Sequence, residues 1–153
     1  MKLMKYFKIS YLTDMKGCSV IDIGAKQVSF DQPTYREIFE PDYNYTGMDI
    51  VSGENVDIVG YEGITKTYDV LISGQTMEHI KRPWTWVMFL TRYFKRYICV
   101  IAPNDFAKEH RHPYDTYRFF PDGMRDLFEY AEIKELEIFK FGPDTIGIGT
   151  HYG

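Results

Sequence analysis

The 153 residues lack most of what would mark a special environment. Only 2 cysteines are present, Cys18 and Cys99. Without metal-ligand spacing they support neither a disulfide framework nor a zinc site, and both read as reduced, buried packing residues. No apolar run approaches the roughly 20 residues of a membrane-spanning helix, so no membrane contact is expected. The first ten residues scatter Lys2, Lys5 and Lys8 among Leu3, Met4, Phe7 and Ile9. They show no apolar h-region or small-residue cleavage site of a secretory leader, which makes a cytoplasmic location the expectation. Excess positive charge is missing too. The 18 Lys and Arg set against 22 Asp and Glu leave a net charge of −4, the wrong sign for a dedicated nucleic-acid surface. Repeats, low-complexity tracts and linker composition are absent, so residues 1–153 read as one domain.

What is present is core-forming material: 44% hydrophobic residues and 17% aromatics exclude a disordered chain. Strands are predicted at Ser19–Ile23, Tyr45–Val51, Asp57–Val59, Asp69–Ser73, Tyr97–Ala102 and Ile133–Phe141. The early ones are continuous apolar runs, as in parallel strands covered on both faces. Helices must then lie between them. An amphipathic segment at Leu3–Tyr11 precedes the first strand. Gln32-Pro33 opens a helix with Tyr35, Ile38 and Phe39 on one face, since proline suits the first helical position. Arg82-Pro83 opens another, Trp84 to Phe94, apolar nearly all round and so buried against the sheet or against a partner subunit, as in a homodimer. Arg92, Lys95 and Arg96 fall in its last turn, where cations meet the helix dipole favourably. A third helix begins at Phe120-Pro121-Asp122, with Met124, Leu127, Phe128 and Ala131 at helical spacing. After the turn Gly142-Pro143-Asp144, a short alternating run through Thr150 suits an antiparallel strand. The expected fold is α/β and Rossmann-like: a mostly parallel central sheet, helices on both faces and an antiparallel edge strand.

Two strings carry the functional signal. Val20-Ile21-Asp22-Ile23-Gly24 and Tyr45-Thr46-Gly47-Met48-Asp49 each read as a buried strand ending in a carboxylate. In an open parallel sheet, ligands sit outside the carboxyl ends of the strands, and an acidic residue ending the second strand accepts ribose hydroxyls. Asp49 fits that task, and the alternative is a turn aspartate before Ser52-Gly53. A dinucleotide fingerprint would need G-x-G-x-x-G at the first turn. This turn reads Asp22-Ile23-Gly24-Ala25-Lys26-Gln27, with Gly24 alone in place. Asp22 itself, buried at a strand end, needs a partner. A cofactor's ammonium would supply one, and so would the backbone N–H groups of the turn that follows.

Together with Tyr68-Asp69-Val70-Leu71-Ile72-Ser73-Gly74-Gln75-Thr76-Met77-Glu78-His79-Ile80 and Ile98-Cys99-Val100-Ile101-Ala102-Pro103-Asn104, these strings resemble the class I S-adenosylmethionine-dependent methyltransferases. The likeness runs from about Val20 to Ala131. It is nearest to a bacterial branch without the full Gly-rich turn, in which a His-x-x-Pro-x-Asp-x-x-Arg stretch follows the fifth strand; here it is His110-Arg111-His112-Pro113-Tyr114-Asp115-Thr116-Tyr117-Arg118. The resemblance implies S-adenosyl-L-methionine as cofactor, held by Asp22, Gly24, Ala25, Asp49, Ile50, Glu62, Ser73, Gly74 and Gln75. Glu62 would reach the adenine, with Tyr61 as an alternative that stacks on the base. It further implies methyl transfer to a small-molecule or glycan-linked acceptor touched by His79, Tyr114 and Arg118. The rival reading is a degenerate relative kept as a binding or scaffolding subunit.

Three readings compete for the stretch from His110 to Arg118. In the first, His110 or His112 takes a proton from the acceptor, Asp115 orients it and Arg118 holds an anionic group. The second is a metal site of His110, His112 and Asp115. The third is an internally bonded loop, Asp115 with Arg118, that fixes the next helix. The first is preferred, and no metal is assigned.

Overall fold

A computed structural model describes all residues, Met1–Gly153. In chain order the elements are α1 (Lys2–Tyr11), β1 (Ser19–Ile23), α2 (Tyr35–Phe39), β2 (Asn44–Asp49), β3 (Ile58–Val59), β4 (Tyr68–Gly74), α3 (Pro83–Leu90), β5 (Phe94–Pro103), α4 (Pro121–Tyr130), β6 (Ile133–Phe141) and β7 (Asp144–His151). The seven strands form one sheet in the order β3-β2-β1-β4-β5-β7-β6. The first five are parallel, and β7 runs antiparallel between β5 and β6. The expected α/β Rossmann-like architecture is therefore the observed one. No helix is long and apolar enough to cross a membrane.

Period-two alternation divides each buried strand between two cores. Val20, Val70, Ile72, Cys99, Ile101, Ile146 and Ile148 face Leu3, Met4 and Phe7 of α1 and Ile38 and Phe39 of α2. Ile21, Ile23, Leu71, Ile98 and Val100 face Trp86, Val87 and Leu90 of α3 and Met124, Leu127 and Phe128 of α4. In β7 the second face is bare. A β-carbon on Gly147 would lie 2.8 Å from Met124 Cγ, and one on Gly149 3.0 Å from Phe128 Cε2. The alternating Ile-Gly run thus packs on one side and admits α4 against the backbone on the other.

Several boundaries differ from the sequence reading, most of all the start of α2 and the end of α3. α2 starts at Tyr35 because Thr34 caps it, its N–H bonded to Glu37 Oε1 at 3.2 Å in a capping box that leaves Pro33 outside. α3 ends at Leu90, not Phe94. Its last turn tightens through Thr91, Arg92 and Tyr93, and Tyr93 O then accepts Tyr68 N–H at 2.8 Å, pulling Phe94 into the sheet beside β4. Lys95 and Arg96 consequently lie in β5 and Arg92 in the turn, so none of the three cations sits on the last turn of a helix. Cys99 is buried and Cys18 only half-buried; both are free thiols.

The 104–118 segment between β5 and α4 leaves and returns at nearly one point. Phe119 N–H donates to Pro103 O at 2.8 Å, and Thr145 of β7 donates its hydroxyl to Phe119 O at 2.6 Å.

Candidate functional site

The carboxyl ends of β1, β2, β4 and β5 gather the residues singled out in the sequence. After β1 the chain turns across the end of β2: Gly24 and Ala25 N–H both donate to Met48 O, at 2.9 and 3.0 Å, and Lys26 N–H donates to Asp49 Oδ2 at 3.1 Å. Val51 N–H reaches Asp49 Oδ1 at 3.3 Å. Each Asp49 oxygen thus takes one backbone donor, and the half-exposed carboxylate keeps acceptor capacity. Ala25 is buried, Ile50 is exposed, and Glu62 is exposed with its carboxylate folded back over Gly60. Tyr61 sets its ring edge-on to Phe89, and its hydroxyl takes Trp86 Nε1–H at 2.6 Å.

Asp22 is 3% exposed, and its partner is neither an ammonium nor a turn N–H. Tyr45 donates its hydroxyl to Asp22 Oδ2 at 2.5 Å and accepts Asn55 Nδ2–H at 3.1 Å. Asn55 also ties Nδ2 to Ala25 O at 2.8 Å and receives Arg36 Nε–H at 2.8 Å, while Arg36 lies over the Tyr45 ring at 4.6 Å. Burial raises the Asp22 pKa to about 7, against the pull of the Tyr45 hydrogen bond. Sequence reasoning missed Tyr45, Asn55 and Arg36. The one available signal was register: Val20 pairs with Tyr45, which sets the Tyr45 side chain diagonal to Asp22 on the same face.

Gly24, at φ +82°, would drive a β-carbon to 2.1 Å from Thr76 Oγ1, so glycine is required there by the protein's own packing. At the end of β4, Ser73 is buried and spends its hydroxyl on Ile23 O at 2.7 Å; it has no side-chain donor left for a ligand. Gly74 makes room for the Tyr35 hydroxyl, which would lie 2.0 Å from a β-carbon at that position. Gln75 reaches Asp144 Oδ1 at 2.7 Å. A cleft of about 280 Å³ opens here between Gly24, Gln27, Pro33, Tyr35, Asn55 and Gly74.

The second half of the site is the 104–118 segment folded over the short turn Met77–His79. Asp115 pairs bidentately with Arg118, at 2.6 Å to Nη1 and 2.7 Å to Nη2, and accepts His110 N–H at 2.6 Å. The Arg118 guanidinium holds the Asp115 carboxyl well below the usual carboxylate range. Two expectations are corrected by this geometry. Arg118 has its charge committed to Asp115 and not presented to an anion, and Asp115 turns its oxygens to Arg118 and to the His110 backbone N–H and not to the rings of His110 and His112. His110 is oriented instead by Glu78, with Nε2 3.0 Å from Oε1; Asp115 lies 3.9 Å from its other nitrogen. Glu78 is fully buried, and its carbonyl accepts Thr116 and Tyr117 N–H at 3.0 and 3.3 Å. Burial raises the Glu78 pKa, opposed by the His110 hydrogen bond. Burial alone would lower that of His110, but the Glu78 carboxylate, the Lys108 carbonyl and the Asp115 charge together outweigh it, for a net rise. His79 bonds Tyr114 O through Nδ1, the Tyr114 ring is exposed, and His112 stands edge-on to His79 with 6.1 Å between ring centroids.

No protein-family model and no curated protein sequence matches this chain. Solved structures do. An S-adenosylmethionine-dependent methyltransferase from Aquifex aeolicus is 15% identical over 99% of this chain and 88% of its own, with a TM-score of 0.65. The 1,6-didemethyltoxoflavin-N1-methyltransferase of Burkholderia thailandensis, crystallised with its substrate and S-adenosylhomocysteine, is 11% identical over 99% and 78% at a TM-score of 0.75. Magnesium protoporphyrin IX methyltransferase from Synechocystis, with S-adenosylhomocysteine bound, is 11% identical over 99% and 81% at 0.68. The chain has the fold of the class I methyltransferases. A cyclase, SpnF, shares that fold at a TM-score of 0.71, so activity has to be argued from the site.

Proposed function

We propose that the protein transfers the methyl group of S-adenosylmethionine to a small-molecule or glycan-linked acceptor. The observation that carries this reading is Asp49: a carboxylate at the end of the second strand, oriented by Lys26 and Val51 N–H and still able to accept, beside a cleft floored by two glycines. Those residues fit the cofactor. Asp49 would accept the ribose hydroxyls. Asp22, under the cleft and half ionised near neutral pH, would answer the ammonium of the methionine half. Gly24 and Gly74 line the cleft with backbone, the space beside them being taken by Thr76 and the Tyr35 hydroxyl. Glu62, exposed beyond β3, would reach the adenine.

When bound, the cofactor supplies a sulfonium methyl that is already strongly electrophilic. The chain then has to align an acceptor in line, exclude water and take at most one proton. His112 is the candidate for that proton. His79 and His110 are held by hydrogen bonds, whereas the His112 ring is exposed and makes none to the protein. Tyr114 and the rim of the 104–118 segment would meet the acceptor.

Calorimetric titration with S-adenosylhomocysteine tests the reading. One site should be found, and Asp49→Ala should weaken it by about 1–3 kcal/mol, roughly 5- to 150-fold, because donors of the ligand lose their acceptor. No binding at millimolar ligand, or binding that Asp49→Ala leaves unchanged, overturns it.

A further inference from the structure

Glu78, His79 and His110 offer three ligand atoms that all lie within 4.8 Å of one another. We propose that they form a zinc site, a three-residue His2Glu set with one open position, between the end of β4 and the 104–118 segment.

The first argument is the tautomer logic of the two rings. A carbonyl oxygen only accepts, so a ring nitrogen bonded to one must carry the hydrogen. His79 Nδ1 is bonded to Tyr114 O, and His110 Nδ1 lies 3.2 Å from Lys108 O. Each neutral ring therefore directs its Nε2 lone pair away from its carbonyl. Both Nε2 atoms lie near one oxygen, Glu78 Oε1, at 3.5 Å from His79 and 3.0 Å from His110. Three electron-rich atoms facing one another repel unless a proton or a cation lies between them. Outer partners that fix the far nitrogen and aim the near one are the usual surroundings of a metal-bound histidine.

The second argument is an orphan. Glu78 Oε2 is the one buried side-chain polar atom without a hydrogen-bond partner, on a side chain that is fully buried. A buried carboxylate oxygen left unpaired is costly, and a cation at Oε1 and Oε2 removes the cost. The spacing suits the ion as well. Zinc binds imidazole nitrogen and carboxylate oxygen at about 2.0–2.2 Å, which puts tetrahedral neighbours about 3.3–3.6 Å apart, and the two measured separations of 3.0 and 3.5 Å bracket most of that range. Two imidazoles and a carboxylate are a donor set that zinc favours over magnesium or calcium. The His110 side chain is 35% exposed, so the fourth position opens to solvent for a water or an incoming oxygen ligand. The adjacent Glu78 carbonyl, by holding Thr116 and Tyr117, makes the same residue a clasp for the whole segment.

The test uses tag-free chain, stripped with a chelator, and reads metal stoichiometry; it is therefore independent of the methyl-transfer reading. Zinc is titrated against a chromophoric competitor, and cobalt(II) serves as the spectroscopic probe. One equivalent of zinc should bind, and cobalt should show the intense visible absorption of a four- or five-coordinate ion. Loss of an outer partner alone weakens metal sites about 10- to 100-fold, so loss of a ligand in Glu78→Gln, His79→Ala or His110→Ala should weaken binding by more than about 100-fold. Cys18→Ser, far from the cluster, should bind as the parent does. Circular dichroism checks each variant, and the half-buried rings of His79 and His110 keep the test open if the buried Glu78→Gln fails to fold. Absence of stoichiometric binding, a cobalt spectrum of the free aqua ion, or affinity unchanged in the folded histidine variants would each overturn the site and leave a protonated His–Glu network in its place.

Discussion

Replacing Asp22 by Asn should make the protein more stable and a poorer binder of the cofactor. The folded chain holds a proton on this carboxyl up to about pH 7, whereas the unfolded chain releases it near the ordinary 3.8. Between those values the folded state binds more protons, so stability falls as pH rises and levels off above about pH 7. At about 1.4 kcal/mol per pKa unit, the penalty is near zero at pH 3, about 1.7 kcal/mol at pH 5 and about 4 kcal/mol from pH 7 upward. An Asn oxygen still accepts the Tyr45 hydroxyl, but the strength that the charge lent to this bond is lost, about 1 kcal/mol. The net gain at pH 8 is roughly 2–3 kcal/mol, a rise in Tm of about 5–10 °C for a chain of this size. Urea and thermal melts at pH 5 and pH 8 check it: the advantage should shrink to under about 1 kcal/mol at the lower pH. The same variant should bind S-adenosylhomocysteine more weakly, since the ligand's ammonium loses its carboxylate. An Asn variant no more stable than its parent at pH 8 would refute the reasoning, because Asp22 would then carry its charge in the fold without penalty.

Gly24→Ala should destabilise by about 1–3 kcal/mol in denaturant melts, from overlap with Thr76 and a left-handed φ. Adding Thr76→Gly should recover the overlap and not the backbone cost. Asp115→Asn should leave the core intact and speed amide hydrogen exchange at His110, whose N–H loses a charged acceptor while Arg118 is set free; unchanged protection would mean the segment is fixed elsewhere. Once an acceptor is known, His112→Asn should lower turnover by about 10²–10⁴-fold with cofactor affinity unchanged, and full turnover would remove the base from this loop.

The strands were legible because each is an apolar run of a length and flanking chemistry that admits little else, and Ser19–Ile23 and Ile133–Phe141 match to the residue. The ends of α2 and α3 were not. A proline at a helix start and a threonine one position later compete for the same cap, and only the reach of Glu37 decides between them. Phe94 reads equally well as the last turn of an apolar helix or the first residue of a strand, and pairing with Tyr68 selects the strand. Asp22, Gly24 and Asp49 were found by their place at strand ends. Their partners Tyr45, Asn55 and Arg36 were hidden, because cross-strand register exists only once the sheet does. In the 104–118 segment the pairing of Asp115 with Arg118 was legible as one of three readings, and that of His110 with Glu78 was not. Arg118 is three residues from Asp115 and found it locally, while Glu78, 32 residues before His110, was placed beside it by two neighbouring parallel strands.

The bond between Phe119 and Pro103 closes residues 104–118 into a ring hung from a fixed point on the sheet. Lengthening a closed ring adds entropy cost only logarithmically, about 0.6 kcal/mol per doubling. A longer segment would therefore cost the fold little entropy while the strands beneath keep their register.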